Sequence, residues 1–182
     1  MSLTAREHAI KISQVDAACR QINEAVWLFF GERDSVAVHT LAAAAHGIVR
    51  DLLQREKKGS LLKDSPVIRK EKLEEWRNAL NSYQNFFKHA RRPYPTEIEY
   101  NPEVAVWLLF DAVTMYREIT GETSHEATVF LAWFLAAFHG FLLDGASKNQ
   151  VLQALPRGFA PADFATLRKL LQRPGLVQEY RS

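Results

Sequence analysis

Apolar residues recur at steps of three and four along nearly the whole of this 182-residue chain. This is the spacing of one face of an α-helix, and no strand-like alternation of useful length interrupts it. The clearest stripe consists of Val38, Leu41, Ala45, Ile48 and Leu52. The sequence therefore predicts an all-α protein, a helical bundle of about five long helices with a C-terminal helical hairpin.

Local signals for helix starts and stops divide the chain into these helices. The predicted starts lie at Thr4, Asp34, Ser65, Asn101, Thr123, Ser147 and Pro161. The predicted stops lie at Gly31, Gly59, Pro93, Gly121, Pro156 and Pro174. The third helix is expected to begin at Ser65 and Pro66 and to end near Ala90. We expect one domain over residues 1–182, with a core bundle at about 4–143 and the hairpin at about 147–173.

The most apolar segment, residues 129–143, predicts a buried core helix. Its fifteen residues are fewer than the ~20 that span a bilayer, so we expect no membrane span. The N-terminal residues lack an apolar signal core, which favours a cytoplasmic protein. The single cysteine, Cys19, excludes an internal disulfide and a cysteine-rich zinc site.

The segment NFFKHARRP at residues 85–93 carries the most functional information. It places an amide and an imidazole, Asn85 and His89, four residues apart near the end of the third predicted helix. Three cations lie beside them: Lys88, Arg91 and Arg92. Such cations offset the negative end of the helix dipole, and they can also hold phosphates. Because the net charge is only +2, any binding of polyanions must come from a local patch of this kind.

The sequence Asn-Phe-Phe-Lys-His-Ala on a long helix resembles the motif region of HEPN-like proteins, over about residues 66–92. These proteins are helical bundles, often dimeric, that bind nucleotides or cleave RNA. Their motif is an arginine followed a few residues later by a histidine. His89 matches the histidine, whereas Asn85 stands where the arginine is expected and cannot supply its charge.

This resemblance implies association with RNA or a nucleotide, and it leaves nuclease activity open. It makes His89 and Asn85 the candidate catalytic residues. It makes Lys88, Arg91 and Arg92 the candidate phosphate-binding residues. In HEPN-like proteins the site commonly forms where two bundles meet, so the resemblance also implies a homodimer.

Three further histidines form a separate set of candidates. His39 and His46 are seven residues apart on one helical face, about 10 Å along the axis, which is too far for one metal ion. His139 lies in the most apolar segment, where a buried ring needs a hydrogen-bond partner. Glu24 and Asp111 are candidate partners because each lies on an otherwise apolar segment. A bundle that binds a metal or small ligand is thus one alternative, although we expect no metal and no cofactor.

A second alternative is a non-enzymatic helical interaction protein, in which these histidines and asparagines are structural. The sequence alone does not decide between the three functions. We expect a homodimer on physical grounds as well, because the apolar faces of the fourth and fifth predicted helices need cover. The C-terminal hairpin offers the competing source of that cover.

Overall fold

The computed structural model describes residues 10–66, 68–90, 95–138 and 160–173. The helices of these residues are α1 (Gln14–Phe30), α2 (Ser35–Arg55), α3 (Leu73–Lys88), α4 (Glu103–Thr120), α5 (His125–Ala137) and α6 (Phe164–Gln172), with a 3-10 turn at Lys70–Lys72. The described residues contain no strand, so the all-α prediction is confirmed.

Helix α2 packs between α1 and α4, and these are the two most extensive contacts of the fold. Helices α5 and α6 pack on α1 and on each other, while α3 lies at the edge against α2. Among the described helices, α2 alone is long and apolar enough to cross a membrane. Core helices share that composition, and α2 buries eight of its residues within the bundle.

Side-chain caps explain why several helices begin or end within two residues of the predicted positions. The carboxylate of Asp34 accepts hydrogen bonds from the first backbone N–H groups of α2, and the hydroxyl of Ser124 does the same for α5. Gly121 ends α4 with a left-handed φ of 74°, a conformation that glycine adopts without steric cost. Helix α1 differs: Ser13 and Asp16 form its capping box, so it begins at Gln14. The Thr4 signal lies outside the described residues.

The predicted start of the third helix at Ser65 and Pro66 is wrong. Residues 60–64 form a turn, and α3 begins only at Leu73. The helix also ends at Lys88, so His89 has extended backbone angles and does not continue the helical stripe of Asn85. The side chains of α3 are only partly covered, since none of its residues is buried.

The C-terminal helix covers apolar surface from within the chain. Helix α6 begins after the Asp163 cap, three residues beyond the predicted start at Pro161. It buries Leu167, Leu170 and Leu171, and Phe164 packs on Phe29 with ring centroids 5.3 Å apart. The first half of the predicted hairpin, residues 147–159, lies outside the described residues.

Candidate functional site

A buried carboxylate, that of Asp111, ties α4 to α2 and to the turn at residues 60–64. Its Oδ2 lies 2.8 Å from His46 Nε2 and 2.5 Å from Ser60 Oγ. The backbone N–H of Leu61 donates to Oδ1 at 3.0 Å, and the backbone N–H of Leu62 donates to Oδ2 at 3.2 Å. Burial alone would raise the pKa of Asp111, but these hydrogen bonds hold it below its usual value. Asp111 is therefore an ionised anchor for the turn.

His46 is the neutral partner of this carboxylate. Burial lowers the pKa of His46 and outweighs the opposing effect of Asp111. The ring therefore donates from Nε2 to Asp111, and its buried Nδ1 has no partner among the described residues. The sequence had suggested Asp111 as a partner for His139, which lies outside the described residues. The other candidate, Glu24, is exposed.

Ser60, His46 and Asp111 do not form a nucleophilic triad. In such a triad the serine and the carboxylate meet opposite nitrogens of the ring. Here both lie near the same nitrogen, Nε2, and the serine hydroxyl donates to the carboxylate instead. All three side chains are buried. The cluster therefore supports the turn.

A second carboxylate, that of Asp64, holds the other end of the turn. Arg50 of α2 donates two hydrogen bonds to this carboxylate, at 2.8 and 2.7 Å. Arg77 of α3 also donates to Asp64, and it donates to the carbonyl oxygen of Lys63 at 2.8 Å. Burial opposes ionisation of Asp64, but these donors hold its pKa far below its usual range. The turn is thus fastened to α2, α3 and α4 together.

This anchored turn carries Lys63 into the interior. The Lys63 residue is only 6% exposed, and its Nζ donates to the amide oxygen of Asn81 at 2.7 Å. Burial and the nearby charge of Arg50 lower the pKa of Lys63 to about 8. The ammonium therefore remains mostly protonated at neutral pH. Its described partner is a neutral amide.

His39 lies near this lysine, on α2 and seven residues before His46. It is fully buried, and both ring nitrogens lack a hydrogen-bond partner among the described residues. The rings of Tyr83, Phe87 and Tyr100 surround it edge-on, with centroids 5.4 to 5.9 Å away. Burial, followed by the charges of Lys63 and Lys88, lowers the pKa of His39 to about 4. At neutral pH the ring is uncharged and retains one unused donor.

The residues predicted from the HEPN-like motif lie at the outer end of this region. Asn85, Lys88 and His89 are all exposed. Lys88 is near enough to His39 and Lys63 to lower the pKa of both. The two remaining predicted cations, Arg91 and Arg92, lie outside the described residues. Lys88 therefore acts electrostatically on the interior lysine, and the roles of Asn85 and His89 stay predictions.

The predicted set of metal-ligand candidates is only partly visible. Within the described ranges, no three His, Cys, Asp or Glu side chains are grouped in a way that could hold a metal ion. His46 already uses Nε2 on Asp111. The third candidate, His139, lies beyond the described residues.

Sequence reasoning missed Ser60, Lys63 and Asn81, because each looks like an ordinary polar residue of a surface loop or helix face. One signal pointed toward them. An aspartate within the apolar α4 segment requires buried donors, and the turn supplies them. In comparisons with known proteins, no family model, no curated protein and no solved structure matches this chain.

Proposed function

We propose that this protein associates with a phosphate-bearing ligand, RNA or a nucleotide, at the C-terminal end of α3. The observation that carries this proposal is an excess of positive charge between α2, α3 and the turn. Among the described residues, four cations lie there, Arg50, Lys63, Arg77 and Lys88, against the three carboxylates of Asp51, Asp64 and Asp111. The balance of these four positive and three negative charges is +1, which favours an anionic ligand.

The exposed end of α3 gives such a ligand a place to bind. Lys88 stands at the surface between Asn85 and His89, and phosphate oxygens accept hydrogen bonds from all three kinds of side chain. Arg91 and Arg92 follow directly in the sequence and extend the same cationic segment. The resemblance to HEPN-like proteins supports the same location. A cytoplasmic location and pairing of two chains belong to this proposal.

We propose association rather than cleavage. Asn85 is neutral where the HEPN-like motif has an arginine, so it supplies no charge to a scissile phosphate. A general base is normally oriented by a third group. His89 follows the last residue of α3, and no described side chain hydrogen-bonds its ring.

The test is fluorescence anisotropy with a labelled single-stranded RNA at about 50 and 200 mM salt. Three phosphate contacts predict a roughly 20-fold loss of affinity over this fourfold change in salt. A triple variant, Lys88→Ala with Arg91→Ala and Arg92→Ala, should lose most binding and most of the salt dependence. Full binding by this variant, or no binding by the natural protein at low salt, would refute the proposal.

A matched control removes the same charge from the segment that precedes α3. The three exposed cations of this segment are Arg69, Lys70 and Lys72. Their replacement by alanine should leave RNA affinity within about twofold, since they lie away from the proposed surface. An equal loss in both triple variants would show that binding follows net charge rather than this site.

One observation favours pairing of two chains, which both the RNA-binding proposal and the alternative of an interaction protein include. Trp76 and Leu61 are 38% and 60% exposed, and Trp76 borders a shallow groove of about 230 Å³ that also contains Ile68 and Ala79. The partner that we propose is a second copy of this chain. Light scattering should return twice the monomer mass of 20.8 kDa, and Leu61→Glu should reduce it to one chain. A single-chain mass for the natural protein at micromolar concentration would exclude this pairing.

A further inference from the structure

We propose that the ammonium of Lys63 is the interior end of the binding site and receives the terminal phosphate of a small ligand, such as a nucleoside monophosphate. This inference rests on the proposed function, because it names the ligand class that the same region accepts. It assigns the phosphate a position between Lys63 inside and Lys88 at the surface.

The first argument is that Lys63 is a buried cation that forms no ion pair with any described carboxylate. Its Nζ contacts Asn81, a neutral amide. The two nearby carboxylates have other partners: Asp111 accepts from the turn backbone and Asp64 is held by Arg50. A charge that is removed from water without a counter-ion is costly to the fold. A bound anion would supply the missing charge.

The second argument is independent and comes from His39. Both nitrogens of this ring are buried and unpartnered among the described residues, which is uncommon for a polar group. The same two lysines, Lys63 and Lys88, act on the ring electrostatically. A neutral imidazole beside two ammonium groups offers an additional N–H donor to an anion. The unused N–H donor of His39 and the positive charges of Lys63 and Lys88 therefore act in the same region.

The depth of Lys63 selects a terminal phosphate over an internal one. Lys63 is 6% exposed, and a terminal phosphate with one substituent can approach a buried ammonium end-on, whereas an internal phosphodiester is flanked by a nucleotide on each side. A terminal phosphate carries about −1.5 to −2 charge at pH 7 and three free acceptor oxygens. That negative charge would offset the positive charges of Lys63 and Lys88.

The test is isothermal titration of the full chain with inorganic phosphate, a nucleoside 5′-monophosphate and the corresponding nucleoside. Lys63→Met keeps most of the side-chain length and removes the charge. It should weaken binding of phosphate and monophosphate by about tenfold or more, the usual contribution of a charge-assisted hydrogen bond. The control Lys72→Met, at an exposed lysine of the 3-10 turn, should leave both affinities unchanged. Equal affinities for Lys63→Met and the natural protein would overturn the inference.

A second variant keeps the test decisive if Lys63→Met folds poorly. Asn81→Asp retains the side-chain shape and gives Lys63 an internal counter-ion, so it should compete with the phosphate and weaken binding about tenfold. Undiminished binding by Asn81→Asp would count against the inference. Circular dichroism checks that each variant is folded.

A further arm separates this inference from the proposed function. A single-stranded RNA with a 5′-hydroxyl has only internal phosphates. If Lys63→Met loses the monophosphate but retains this RNA, both ideas stand. If the natural protein binds the RNA but not the monophosphate, the Lys63 inference fails and the surface proposal survives. If it binds neither, both fail.

Discussion

Replacing Asp111 by asparagine tests whether the buried carboxylate holds the turn at residues 60–64 in place. The change preserves shape and removes charge. An asparagine oxygen in the Oδ2 position can still accept from His46, Ser60 and Leu62. The amide NH₂ must then take the Oδ1 position, where it opposes the backbone N–H of Leu61. One buried donor is left without an acceptor in the best arrangement.

The expected cost follows from this count. An unsatisfied buried donor costs about 1–3 kcal/mol. The three remaining hydrogen bonds lose their charge assistance, which adds roughly another 1 kcal/mol. We therefore expect Asp111→Asn to lower the free energy of unfolding by about 2–4 kcal/mol, a large part of the ~5–15 kcal/mol of an ordinary domain. Asp111→Ala should cost more, because it removes all four acceptor contacts.

Urea unfolding followed by tryptophan fluorescence measures this loss. With a slope of about 2 kcal/mol per molar urea, the midpoint should fall by roughly 1–2 M. The control is Asp51→Asn, at an exposed aspartate of α2, which should stay within about 0.5 kcal/mol of the natural protein. If Asp111→Asn proves as stable as this control, the carboxylate does not anchor the turn and the reasoning is wrong.

Three further outcomes are expected. Because the pKa of His39 is lowered from 6.5 to about 4, the unfolded chain binds its proton first as pH falls, so stability should decline between about pH 6.5 and 4. This decline in the free energy of unfolding reaches at most about 1.4 kcal/mol per pH unit. His39→Leu should flatten it, which urea titrations at pH 7, 5.5 and 4.5 measure. An unchanged slope in this variant would contradict the prediction. Gly121→Ala should cost about 1 kcal/mol and lower the thermal midpoint by a few degrees, because φ is 74° while an added Cβ meets nothing within 4 Å. Elemental analysis of untagged protein should find no stoichiometric zinc, iron or manganese, and one such ion per chain would revive the histidine site.

The starts of α2 and α5 and the end of α4 were predictable from sequence because local chemistry determines them. Asp34, Ser124 and Gly121 act within one turn of their own helices. The start of α3 was not predictable in this way. Ser65 and Pro66 carry the usual signal for a helix start, but distant side chains hold the preceding turn and α3 begins only at Leu73.

The candidate site also contains one part that the sequence indicates and one part that depends on distant contacts. The buried pair of His46 and Asp111 was partly visible, because a carboxylate and a histidine on apolar faces both require partners. Lys63 carried no such signal, since a lysine in a polar stretch between two helices is usually solvated. Its burial depends on a contact between α4 and a turn about 50 residues earlier, and no local pattern encodes it.

The hydrogen bonds that anchor the turn also fix the position of Lys63, which forms no ion pair with any described carboxylate. Asp111 accepts from the backbone of Leu61 and Leu62, and Arg77 donates to the carbonyl oxygen of Lys63 itself. These contacts leave the Lys63 backbone little freedom to withdraw its side chain into water. Several buried hydrogen bonds thus hold the Lys63 ammonium in a position where burial disfavours its charged form. On our proposal that Lys63 receives a phosphate, a cation held in this way would need little rearrangement when the ligand arrives.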